Sequence, residues 1–121
     1  MNTELRLYAI VRADLKMPAG KLAAQAGHAY LESFLTANSD LQIDYRKDGI
    51  GTKITLQARD LKSLFRIHYQ CSKKGIPCAL IEDSGHIMPP YFDGSPIITA
   101  IGVGPCTRET VSQITDSFQL L

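Results

Sequence analysis

Residues 5 to 11 read LRLYAIV, apolar at every position except Arg6. A strand with one face in water alternates apolar and polar residues; a strand apolar on both faces must be covered on both. This run therefore predicts a sheet with material packed above and below it, and the rest of the chain has to supply that cover. Asp14 to Pro18 reads as a loop, with Pro18 and Gly20 punctuating the entry to a helix from about Ala19 to Leu35. A polar connection over 38–51 ends in a Lys-Asp-Gly turn, and KITLQA, residues 53–58, alternates as a second strand. Asp60 is placed to cap the next helix, where Leu61, Leu64, Phe65, His68 and Cys71 recur at helical spacing and Gly75 supplies the stop. CALIE (78–82) is a buried strand, DSGHIMPPYFDGSP (83–96) a loop, and IITAIGVG (97–104) a fourth strand; Thr107 caps a last helix with Val111 and Ile114 inward.

The resulting order, β-α-β-α-β-β-α, predicts right-handed crossovers, a mainly parallel sheet and helices on both faces. The last two strands are joined without a helix, so the fourth is expected to be antiparallel. The fold class is thus α/β, three layers around a four-stranded mixed sheet. A length of 121 residues suits one domain spanning 1–121, and 45% hydrophobic with 21% charged residues excludes a disordered chain. A net charge of +1 neither requires nor excludes a nucleic-acid partner. Cys71, Cys78 and Cys106 are odd in number and irregularly spaced, which argues against a disulfide framework, and no zinc-ligand spacing is present. The first residues lack a secretory leader pattern and no apolar run approaches the ~20 residues of a membrane span, so a cytoplasmic protein without membrane contact is expected.

The segment DLKMPAGKLAAQAGHAYLESF (14–34) carries Lys21, Gln25, His28 and Glu32 within an arc of roughly 60° on a helix. Leu22, Ala23, Ala26, Ala29, Tyr30, Ser33 and Phe34 fill much of the remaining circumference, which predicts a mostly buried helix with one polar seam. Ligands of open α/β sheets bind beyond the carboxyl ends of the parallel strands. Two segments leave such ends: RADLKMPAGK after the first strand and DSGH after the third. If those strands run in the same direction, Lys21 and Asp83 share a rim although they are over sixty residues apart. The first helical turn offers unpaired amides to a phosphate or an oxyanion, and Lys21 adds a cation. Asp83 supplies a carboxylate able to orient or deprotonate water, and Gln25 and His28 are candidates to hold substrate. Taken together, these groups describe a hydrolytic site for a phosphate-containing substrate. Taken singly, each has a plainer role: a solvated lysine, a capping glutamine, a structural histidine, and an aspartate forming a turn before Ser-Gly. His68 belongs to an apolar helix face. IGVGP lacks the spacing of a dinucleotide site, and Cys78, inside a strand with no evident base beside it, does not read as a nucleophile.

The stretch DLKMPAGKLAAQAGHA resembles the signature of the type 2 peptidyl-tRNA hydrolases, a D-L-K-M-x-x-G-K-x-A-A-Q-x-x-H-A pattern following the first strand. The resemblance continues through KITLQARDLKSL, GIPCALIEDSG and AIGVGP to a closing helix followed by FQLL. It implies cleavage of the ester joining a peptide to tRNA, a three-layer α/β/α fold, no metal or other cofactor, tRNA as partner and frequent dimerisation. It puts the family's functional lysine on Lys21, its glutamine and histidine on Gln25 and His28, and its aspartate on Asp83. Two places depart from the pattern. Ala19 stands where a second lysine is usual. The family's D-A-G-R-T-Q-I-x-P-G becomes DSGHIMPPYFDG, so that His86, Ile87 and Met88 replace arginine, threonine and glutamine in a longer loop. The replaced threonine is a proposed active-site hydroxyl in the family, and the arginine a substrate contact. An imidazole titrates near neutral pH, so His86 is a candidate to take over part of that work.

The expected catalytic residues are therefore Lys21, Asp83 and His86, and the expected substrate-binding residues Lys16, Gly20, Gln25 and His28. Lys16, Lys62 and Arg66 are candidates for tRNA phosphates. The alternative is a catalytically impaired module that binds tRNA or a protein, with Pro89, Pro90, Tyr91 and Phe92 as an apolar contact. A small-molecule hydrolase would instead need a deep pocket between Lys21 and Asp83.

Overall fold

The computed structural model describes residues 3–121; Met1 and Asn2, part of the expected 1–121 domain, lie outside it. Strand β1 (Leu5–Arg12) leads into helix α1 (Ala19–Thr36), and a short helix α2 (Ser39–Arg46) precedes strand β2 (Thr52–Ala58). Helix α3 (Leu61–Lys74), strand β3 (Cys78–Asp83) and a small hairpin of β4 (Ile87–Met88) and β5 (Phe92–Asp93) follow. The long strand β6 (Ile97–Thr107), helix α4 (Arg108–Thr115) and strand β7 (Gln119–Leu120) complete the order.

The main sheet has five strands in the order β3-β6-β1-β2-β7. Only β1 and β2 pair in parallel, from Arg6 opposite Thr52 to Arg12 opposite Ala58; every other pairing in it is antiparallel. The expectation of a mainly parallel, four-stranded sheet is corrected accordingly. The physical reason lies in β6. It is reached from β3 without a crossover helix, so it turns back and pairs beside β3 as an antiparallel neighbour. Its other edge then pairs antiparallel with β1. Because β6 runs opposite to both neighbours, β1 and β3 point the same way and their carboxyl ends meet one rim.

Side-chain alternation along β1 divides the interior in two. Tyr8 and Ile10 face α3 and α4 with Leu56, Leu64, Ile67, Cys71, Ile101, Val103, Val111 and Ile114. Ala9 and Val11 face α1 with Leu15, Met17, Ala26, Ala29, Ile81, Phe92 and Ala100. The cover predicted from LRLYAIV is present on both sides. Helix α3 begins where Asp60 Oδ1 accepts from the Ser63 amide at 2.9 Å, and ends where Gly75 adopts φ 70°, a left-handed stop that glycine takes without strain.

Helix α1 is less buried than its sequence suggested. Gln25, Ala26, Ala29 and Ser33 are buried, whereas Ala23, Ala24, Gly27, His28, Leu31, Glu32 and Leu35 face solvent. The polar seam runs along the flank between these two faces, so Gln25 turns inward and His28 outward. Ser33 Oγ donates to Gly104 O at 2.7 Å and so ties the helix to β6.

Candidate active site

The β1–α1 loop and the end of β3 come together at the common rim. Lys21 Nζ donates to Asp83 Oδ2 at 2.8 Å, and the two side chains are only 11% and 22% exposed. An ion pair so far withdrawn from water is screened much less by salt than a surface pair. Lys21 Nζ also stands 4.4 Å from the centroid of the Phe92 ring, a cation–π contact that holds the ammonium between a carboxylate and an aromatic face. Phe92 is 2% exposed and belongs to the core beneath α1. The His86 ring meets Phe92 edge-on, with centroids 5.6 Å apart and planes at 86°. His86 thus reaches the pair through an intervening ring.

Two local features prepare this spot. Pro18 precedes α1 with extended backbone, and no side chain caps the helix or places an acidic group in its first turn. The first amides of α1, at the exposed Ala19 and Gly20 and at Lys21, are therefore left for a ligand. Arg12 braces the loop: Nε and Nη2 grip Asp14 at 3.1 and 2.8 Å, and Nη1 donates to Ile98 O at 2.9 Å. A bidentate guanidinium–carboxylate pair fixes orientation as well as distance.

The sequence-predicted residues divide three ways. Lys21 and Asp83 are brought into contact, with His86 one ring away. Gln25, expected to touch substrate, is 4% exposed, and its Oε1 accepts from Thr99 Oγ1 at 2.6 Å. It joins α1 to β6 behind the ion pair. His28 is exposed on the outer flank of α1, about two turns beyond Lys21. Lys16 is exposed in the loop with φ 50°. Sequence reasoning missed Thr99 and Arg12. Thr99 is one polar residue in an apolar strand, and that was the available signal for a buried hydrogen bond. Of the apolar segment 89–92, which could cover a partner or pack on the protein's own core, Phe92 takes the core, while Tyr91 beside it stays 42% exposed.

Thr99→Val removes the donor and strands the Gln25 carbonyl in the interior. The expected cost is about 1–3 kcal/mol in chemical denaturation, whereas Thr99→Ser restores most of it. Cys78 is no part of the site: it begins β3, about 17 Å along the strand from Asp83. The proximity of Cys71 lowers the Cys78 thiol from its ordinary range and raises that of Cys71. Among the described residues no group of three or more His, Cys, Asp or Glu side chains is placed to hold a metal ion.

A family model described as peptidyl-tRNA hydrolase PTH2 matches residues 5–121, which is nearly the whole chain and includes every element of this rim. The chain belongs to that family. Among proteins named peptidyl-tRNA hydrolase, the relative in Methanococcus maripaludis is 38% identical over 115 residues, covering 93% of this chain and 95% of the relative. The Pyrobaculum aerophilum protein is 37% identical over 122 residues, covering 97% and 98%, and that of Methanocaldococcus jannaschii 32% identical over 120 residues, covering 97% and 100%. In this chain Lys21 and Asp83 are in contact across the rim, and the following loop, DSGHIMPPYFDG, folds as the β4–β5 hairpin and turns Phe92 under the lysine.

Proposed function

We infer that this chain hydrolyses the ester of peptidyl-tRNA and releases the tRNA. The Lys21–Asp83 contact carries the reading, because it joins a fixed cation, a carboxylate and an uncapped helix start at one point. Asp83 Oδ2 is held by Lys21, and Oδ1 has no protein partner among the described residues, so it is free to take a proton from water. The water oxygen attacks the ester carbonyl, and the negative charge that develops on the carbonyl oxygen is met by Lys21 and the first amides of α1. The tetrahedral intermediate then expels the ribose oxygen, which takes the proton back from Asp83 and leaves as the hydroxyl of free tRNA, while the new carboxyl group of the peptide loses its remaining proton to solvent and departs as a carboxylate. His86, beside Phe92 on the rim, is assigned to help Asp83 position the water. Gly20, through its amide, and Lys16 and His28, as exposed groups flanking the loop, are assigned to the substrate. Gln25 positions Lys21's helix through Thr99 and makes no direct contact.

Lys21 and Asp83 touch, so no deep pocket separates them as a small-molecule hydrolase would require. The names of the relatives favour the enzyme over the impaired binding module. Residues 1–121 are read as one domain, working without a metal in the cytoplasm where its tRNA substrate is made and used. No helix among the described residues is long and apolar enough to cross a membrane. Self-association is supported by an exposed apolar stretch on α1 and α2 that includes Leu31, Leu35 and Ile43. Release of deacylated tRNA from a peptidyl-tRNA, assayed beside gel retardation of tRNA, tests the reading; retardation without release would return the binding module.

A further inference from the structure

Charge is distributed unevenly over this nearly neutral chain. Helix α3 carries Lys62, Arg66, Lys73 and Lys74 and no aspartate or glutamate, against a net charge of +1 for the whole sequence. Arg59, exposed at the end of β2, extends the run. The placement on the helix matters as much as the count. Lys62, Phe65, Arg66, Tyr69 and Lys73 fall within an arc of about 100°, opposite the buried Leu64, Ile67 and Cys71. All five face solvent, with Phe65 49% and Tyr69 63% exposed, and Lys73 Nζ lies 5.7 Å from the Tyr69 ring. Exposed aromatic rings between cations have no role in this protein's own core. Arg59, Lys62, Arg66 and Lys73 form no salt bridge among the described residues.

This stripe is continuous with the rim. A groove of about 570 Å³ at the head of α3 is lined by Arg59, Lys62 and Arg66, with Asp60 its one acidic member, and by Ala13 of the β1–α1 loop. The Asp60 carboxylate is held by Ser63 at the helix start. Ala13 N donates to Ala58 O at 2.8 Å, so the loop that ends at Lys21 begins at this groove. Three strand spacings, about 14 Å, separate the end of β2 from the end of β3 across the rim. An unpaired 3′ end of a nucleic acid spans such a distance easily.

We propose that the outward face of α3, with Arg59 at its head, is the docking surface for the body of the RNA. Backbone phosphates lie on Arg59, Lys62, Arg66 and Lys73, Phe65 and Tyr69 lie against ribose or an unpaired base, and the acylated end crosses the rim to Lys21 and Asp83. This rests on the reading of that pair as the ester-cleaving site, and it adds where the rest of the substrate lies. Contacts of this kind release counterions and so depend on salt; paired RNA is read through its backbone and shape.

The test is binding of deacylated tRNA over a series of salt concentrations. It compares the wild type, a Lys62→Gln/Arg66→Gln/Lys73→Gln variant, a Phe65→Ala/Tyr69→Ala variant and a control, Lys47→Gln, on another part of the surface. The triple variant is expected to bind at least ~10-fold more weakly at low salt and to lose about 2–3 from the slope of log affinity against log salt. The aromatic variant is expected to bind more weakly with its slope kept, and the control to match the wild type. In hydrolysis the loss falls on KM. Equal affinity and slope for wild type and triple variant, or no binding of tRNA by the wild type, would overturn the proposal. If the wild type binds tRNA but releases none from peptidyl-tRNA, the reading of the Lys21–Asp83 site fails, while the binding series still decides the role of α3.

Discussion

Lys21→Met and Asp83→Asn each lower kcat/KM for peptidyl-tRNA by at least ~10²-fold, with the loss in kcat. The expectation follows from the division of labour between them. Met keeps the length and apolar stem of lysine and removes only the charge that meets the oxyanion. Asn keeps the shape of the aspartate and removes the base. Each single variant also leaves its former partner uncompensated in a partly buried place, where an unpaired charge is costly. The double variant is therefore expected to be scarcely slower than either single one, because the two residues act as a unit. Steady-state release of tRNA, with circular dichroism to show that each variant is folded, measures this. Lys21→Arg keeps charge but changes its shape at a site built around a point cation over Phe92, and is expected to recover only part of the rate.

Gly102→Ala destabilises the fold by at least ~3 kcal/mol, lowering the melting temperature by roughly 10 °C or more. A Cβ at Gly102 would lie 1.9 Å from Ala29 O and 2.8 Å from Ser33 Cβ. Both belong to the buried face of α1, and Ser33 is pinned by its bond to Gly104 O, so neither can move aside cheaply. The helix would have to lift from β6, carrying Lys21 away from Asp83. Gly27 supplies the contrast: a Cβ there meets nothing within 4 Å, so Gly27→Ala is expected to hold or raise the melting temperature by its helix propensity, about 0.5–1 kcal/mol. A Gly102→Ala protein melting with the wild type would show that the packing of α1 on β6 is looser than these distances describe.

What the sequence made legible was local. The both-sided burial of β1, the Asp60 cap and the Gly75 stop each depend on a few consecutive residues, and each is found. Helix α2 escaped because it buries Tyr45 and little else, and its cap, Asn38 Oδ1 accepting from Leu41 N at 2.9 Å, sits in a stretch too polar to show periodicity. The β4–β5 hairpin and β7 escaped because two-residue strands exist only through their partners. The position of β6 between β1 and β3 is likewise a tertiary fact. At the rim, strand direction alone sufficed to bring Lys21 to Asp83. The inward turn of Gln25 required Thr99, 74 residues away, and the ring under Lys21 required the hairpin that carries Phe92.

The most direct measurement is the rate at which deacylated tRNA appears from a peptidyl-tRNA with the unmodified chain, and with Asp83→Asn at equal concentration. Lys21, Asp83 and the open start of α1 are held to carry ester cleavage in a chain whose following loop has His86, Ile87 and Met88. Turnover by the wild type that collapses in Asp83→Asn is the predicted result. Folded wild-type protein that binds tRNA and releases none, or an Asp83→Asn protein as fast as the wild type, would contradict it.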